Sequence, residues 1–144
     1  MILGASILQL PAIKKAKEMG LDVIAVDMDP DAVGFKEEGI TKLQISTIDT
    51  PRIVEAARAY QIDGIMTLAS DMPMQAVATV CEELGLIGIT PQTALNATNK
   101  AEMRMCFKAH DVPRAVVTED GTGKPVSASP SWIFVMIAFQ IFLW

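Results

Sequence analysis

Apolar residues run almost unbroken through 21–26 (LDVIAV), with Asp22 the one interruption. A run of this kind predicts a strand of a parallel sheet, covered on both faces. Shorter runs at 42–45, 64–68 (GIMTL) and 86–89 predict further strands, the last on the weakest pattern. A first strand must precede Gly4, yet only Met1, Ile2 and Leu3 are available. A strand usually has about five residues, so this one reads as clipped.

Between these runs the spacing is helical. Leu8, Ala12, Ala16 and Met19 fall on one face, with Lys14, Lys15 and Lys17 turned mostly away. Pro11 suits a first helical turn, where its absent N–H has no partner to lose, and Gly20 stops the helix. Thr50 followed by Pro51 predicts an N-cap and first turn, with Ile53, Ala56, Ala57 and Tyr60 as the buried stripe. Ala76, Val77, Val80, Cys81 and Leu84 form another stripe, closed by Gly85. A further helix is predicted over about 100–109, started by Thr98 or Asn99.

Strands alternating with helices at these spacings predict an α/β fold, a Rossmann-like parallel sheet flanked by helices and joined by right-handed crossovers. Ligands of such sheets collect at the carboxyl ends of the strands, near the switch in strand order. That rule selects Gly4, Ala5 and Ser6 after the first strand, Asp27 after the second, and Ala69, Ser70 and Asp71 after GIMTL.

Composition narrows the partners. The chain is 51% hydrophobic but only 6% aromatic, which suits an aliphatic core. Its formal charge is −5, and no basic cluster exceeds Lys14-Lys15, so the footprint of a nucleic-acid binder is absent. Cys81 and Cys106 lie within helical patterns without a CxxC spacing, as expected of reduced, core-facing thiols in a cytoplasmic protein. The start of the chain lacks the charged and apolar regions of a secretory signal. The closing stretch WIFVMIAFQIFLW is uncharged and aromatic, unlike the rest, and falls short of the roughly 20 apolar residues of a membrane span. It reads as the product of truncation or a shifted frame, and as a surface prone to self-association.

The loop chemistry is sparse. Where a dinucleotide motif has further glycines, this chain has Ser6 and Gln9. NAD binding through Gly4 and Asp27 is therefore a weak reading. Asp27 and Asp29 fit solvated turn acids better than a metal pair, and Ser70 and Asp71 fit helix capping as well as ligand binding. Ser6 could cap a tight strand-to-helix turn or contact a ligand. His110 falls at a helix C-terminus without an evident Ser, Cys or Asp partner. Nothing forms a nucleophile–base pair, so no catalytic or metal-binding residue is expected.

Three stretches carry a more specific resemblance: LGASILQLPAIKKAKEMGLDVIAVDMDPDA, IDGIMTLASD and LNATNKAEMRMCFKAHDVPRA. In this order and at these separations they resemble the N-terminal part of an ATP-grasp ligase, in the carbamoyl-phosphate-synthase-like branch. The resemblance runs from residue 1 to about 117. It implies a pre-ATP-grasp domain over 1–97, a helix and strand leading into an ATP-grasp domain over 98–118, and an atypical tail over 119–144. It implies that ATP and Mg2+ serve the parent enzyme on two later lobes, and that neither binds this chain tightly by itself. GTGKPVSASP does not supply those lobes. One ATP contact is implied within the chain: Lys100 in the Asn99-Lys100 step, with Arg104 one helical turn on. Gly4, Ala5, Ser6, Asp27, Ser70 and Asp71 would then face a small carboxylate or amine substrate. The implied partners are that substrate and the ATP lobes, or another chain that supplies them. The alternatives are an NAD(P)-binding oxidoreductase domain and a non-catalytic docking module.

Overall fold

The computed structural model describes residues 1–113. GTGKPVSASP, the aromatic closing stretch and the end of the predicted 98–118 segment lie outside the described residues.

Four parallel strands form one sheet: β1 (Ile2–Leu3), β2 (Ile24–Asp27), β3 (Thr41–Gln44) and β4 (Met66–Thr67), in the order β3-β2-β1-β4. Ile2 is in register with Ala25 on one side and Met66 on the other, and Ile24 with Thr41. The helices are α1 (Leu10–Glu18), α2 (Thr50–Ala59), α3 (Met74–Leu84), α4 (Pro91–Thr98) and α5 (Lys100–Ala109), with a 3-10 turn at Val33–Lys36. The Rossmann-like α/β sheet expected from the sequence is present.

The central strands β1 and β2 are apolar runs because each of their faces is covered, whereas β3 and β4 at the edges are partly exposed. Leu3, Ile24 and Val26 join Ile53, Ala57, Val77, Val80 and Cys81 of α2 and α3 in one cluster. Their strand neighbours Ile2 and Ala25 point the other way and meet Ile13 of α1 and Phe35 of the 3-10 turn. The period of two along each strand thus divides one run between two cores.

Several elements depart from the sequence expectation. Residues 86–89 form no strand: Leu86 donates its N–H back to the Cys81 carbonyl at 2.9 Å, and Ile87 is fully exposed. Gly85, left-handed at φ +67°, ends α3 and turns the chain away, and the segment leads into α4. That helix was not expected, although Thr90-Pro91 repeats the Thr-Pro form of 50–51. Thr90 Oγ1 accepts from the Thr93 N–H at 3.2 Å. At α2 the cap is Asp49 and not Thr50, which is already helical. Asn99 starts α5, its Oδ1 accepting from Ala101 N–H at 2.9 Å. On α1 the fully buried side chain is Ile13, while Leu8 lies before the helix and, like Met19, is exposed. Tyr60 is also half-exposed, beyond the last turn of α2. Of the two thiols only Cys81 is in the core; Cys106 is partly exposed.

Met1–Met103 form one compact unit. Among the described residues no helix is long and apolar enough to cross a membrane.

Candidate functional site at the carboxyl edge of the sheet

The chain moves outward from β1 through β2 to β3, then returns to place β4 on the other side of β1. The strand order therefore switches at β1, and the loops after β1 and β4 flank the crevice where such sheets hold ligands. Gly4, Ala5 and Ser6 form the first of these loops, and Leu68, Ala69, Ser70 and Asp71 the second.

The first loop is fixed by its own main chain. Gly4 N–H donates to the Val26 carbonyl at 2.7 Å, and Ala5 N–H to Asp27 Oδ2 at 2.7 Å. Ser6 N–H donates to Gln9 Oε1 at 3.2 Å, and Leu8 N–H to Ser6 Oγ at 3.2 Å. Gly34 N–H reaches the Ala5 carbonyl from the far side at 2.6 Å. A glycine-rich phosphate loop works by leaving such N–H groups free for the anion. Here those of Gly4, Ala5 and Ser6 are all taken.

Gln9 is the side chain that the sequence reading passed over. It is 4% exposed, the one buried polar residue among those described. Its Oε1 also accepts from Ser6 Oγ at 2.6 Å, and its Nε2 donates to the Leu68 carbonyl across the switch point. It sits where a dinucleotide fold has its third glycine, and a polar residue there was the available signal. Ser6 does not cap α1, whose N-cap is Gln9.

Asp27, half-buried, is a turn acid on one oxygen and a tie to the first loop on the other. Oδ2 holds Ala5, and Oδ1 accepts from Asp29 N–H at 3.0 Å. Asp29 is exposed and holds Asp31 N–H at 2.9 Å in a turn. Bonded to two amides, this carboxylate is a strut between β2 and the first loop.

Neither Ser70 nor Asp71 caps α3 with its side chain; Pro73 stands at that N-cap, and the Asp71 carbonyl accepts Met74 N–H at 3.1 Å. Their side chains remain at the edge, after Ala69 at φ +56°. A left-handed backbone at a residue with a Cβ costs of order 1 kcal/mol, and the grip of Gln9 on Leu68 stands directly before it. In the first turn of α3, Gln75 Nε2 is buried without a partner among the described residues. Sequence reasoning missed this group as well.

Gly4, Ala5, Ser6 and Asp27 are thus brought together by direct bonds, and the loop of Ser70 and Asp71 joins them through Gln9. Lys100 and Arg104 both lie exposed on α5, Lys100 as its first residue. His110 does have a cysteine neighbour: Nδ1 lies 2.9 Å from the Cys106 carbonyl oxygen and 3.9 Å from Cys106 Sγ. The short contact is to the main chain, so the ring fastens a helix end.

A cavity of about 640 Å3 opens at the opposite, amino edge, lined by Leu21, Asp22, Tyr60 and Asp63 among others. The carboxyl edge remains the candidate, because there the polar groups of three loops converge. Burial pushes the Cys81 thiol above its ordinary pKa, as suits an unreactive core residue.

No family model matches the sequence, and no curated protein matches it. Solved structures do. Phosphoribosylglycinamide synthetase from Anaerococcus prevotii is 26% identical with a TM-score of 0.72, and the match covers 83% of this chain and 31% of that one. N5-carboxyaminoimidazole ribonucleotide synthetase from Thermotoga maritima gives 20% and 0.64, over 83% and 33% of the two chains. The L-amino acid ligase from Bacillus licheniformis gives 18% and 0.64, over 80% and 31%. The chain spans about a third of the length of each of these structures.

Proposed function

We propose, on the premise that the chain is an N-terminal pre-ATP-grasp domain of the ATP-grasp ligase kind, that it is the substrate-side domain of an ATP-dependent carboxylate–amine ligase. The observation that carries this is the match at a TM-score of 0.72 to a synthetase over 83% of the chain. The closed loop after β1 supports the same reading. A domain that leaves ATP to other lobes has no use for a pyrophosphate cradle at its own switch point.

In the reaction proposed for the parent enzyme, the substrate carboxylate attacks the γ-phosphorus of ATP and ADP leaves. The amine then attacks the acyl carbon, phosphate leaves, and the amine gives up a proton. Positioning and neutralisation of phosphate charge do most of the work in such transfers. This domain would hold the small substrate with the groups left free at the edge, Ser70 and Asp71 foremost. Lys100 and Arg104 would face the phosphates. Mg2+ would neutralise charge on lobes that residues 1–113 do not contain. The carbamoyl-phosphate-synthase-like branch and a cytoplasmic setting belong to the same proposal and rest on sequence motifs alone.

NAD binding is the poorer reading. Asp27 is committed to Ala5 and Asp29, and Gln9 fills the place of a glycine.

The purified chain is expected to show no magnesium-dependent ATP turnover. Turnover that disappears in Lys100→Ala would overturn the division of labour proposed here. Coding DNA beyond residue 120 that contains a glycine-rich loop and magnesium-binding acids in any frame supports the ligase. Its absence favours a module that docks another chain.

A further inference from the structure

We propose that Gln9 is a built-in ligand of the switch-point crevice, which makes the crevice a site for a primary carboxamide and closes it to phosphate. The pattern of partners is specific. Two donors, Ser6 N–H and Ser6 O–H, converge on one oxygen at 3.2 and 2.6 Å. One acceptor, the Leu68 carbonyl, faces the nitrogen of the same group. A primary amide satisfies all three. A carboxylate or a fully ionised phosphate group carries only acceptors and would set an oxygen against the Leu68 carbonyl. The orientation of the Gln9 amide is fixed by the same logic, since a flip would oppose Nε2 to the Ser6 N–H and Oε1 to the Leu68 carbonyl.

Gly4 is part of this fit. A Cβ on Gly4 would stand 3.0 Å from Gln9 Cδ and 3.2 Å from Oε1. The glycine that resembles the start of a dinucleotide motif thus makes room for a side chain of its own loop. The φ of +97° at Gly4 adds a second reason for glycine.

The consequence is specificity and positioning together. Gln9 ties the loop after β1 to the loop after β4, so the substrate edge is set before any ligand arrives. The part of a substrate that meets this edge must be recognised outside the crevice. A molecule reaching into it must carry a carboxamide and displace Gln9.

Chemical complementation of the full-length chain tests this. Gln9→Gly, which removes the whole side chain that propionamide replaces, is expected to melt several degrees below the wild type. Propionamide, added stepwise, is expected to recover part of that loss in the variant and to leave the wild type unmoved. N,N-dimethylpropionamide lacks the donor for Leu68, propionate lacks any at neutral pH, and inorganic pyrophosphate brings several charges into a site with no cation among the described residues; each should recover less. The proposal is overturned if one of the three matches propionamide, if propionamide fails to restore a folded variant, or if it raises the wild type equally.

Should Gln9→Gly not fold, Gln9→Glu decides. Its carboxyl can donate to Leu68 only when protonated, and burial, with Gln9 4% exposed, adds to this against the two Ser6 donors, so its folded pKa is expected above the unfolded value of about 4.3. The melting temperature should then fall, relative to wild type, as pH rises through that range. A parallel pH profile for the two proteins would sink the idea. No ATP, magnesium or substrate enters these measurements, so their failure leaves the ligase reading standing.

Discussion

Asp27 shows how one residue can be found for the wrong reason. Its position after the apolar run 21–26 marks the carboxyl end of β2, which the sequence reveals. What it does there depends on Ala5, 22 residues away, and on Asp29. Hydrogen bonds to a charged partner contribute about 1.5–3 kcal/mol. Asp27→Ala is therefore expected to destabilise the domain by about 2 kcal/mol in urea unfolding. Asp27→Asn keeps one acceptor and should lose about half as much. An unchanged midpoint in Asp27→Ala would mean that the first loop holds without its strut. Gln9 makes the same point more sharply: a glutamine between Leu8 and Leu10 carries no mark of burial until Leu68 is folded onto it.

Elements were legible where caps and periodicity agreed. Pro11 and Gly20 bracket α1, and Gly85 ends α3, as spacing requires. The helix at Pro91–Thr98 was just as well marked, by Thr90 and Pro91, but the apolar residues at 86–89 drew attention to a strand instead. Apolar character in four residues does not say strand, because a short run can as well cross over a helix end. Gly88 packs there against Cys81 of α3, and a Cβ on it would stand 2.8 Å from Cys81 Cβ. This contact seals the thiol. Its folded pKa is raised by burial above an unfolded value of about 8.5. Below that pH both states are protonated and the contribution is complete. Above it the unfolded chain releases a proton that the native state keeps, so stability falls as pH rises. Between about pH 8 and 10 the wild type should lose stability more steeply than Cys81→Ala. Equal slopes in denaturant titrations would show that the thiol is open to water.

For the molecule as a whole, the apolar stretch beginning at Trp132 is expected from its composition to be a liability. A segment this apolar and uncharged favours association. Deleting the residues after Ser129 should raise the yield of monomer in light scattering and leave the circular dichroism of the sheet and helices unchanged. Unfolding of the shortened chain would make the stretch part of the core. The matches to ligases reach only about a third of their length. The sequence by itself determined the fold class, the parallel sheet and the edge at which ligands collect. Apolar period, proline and glycine act over a few residues, and those are adjacent in the chain. It did not determine that the edge is closed. The bonds from Gly34 to Ala5 and from Gln9 to Leu68 join residues 29 and 59 positions apart. They exist only once α1, the 3-10 turn and β4 are packed on a common sheet. Whether a polar group binds a ligand or binds the protein itself was therefore decided by tertiary structure.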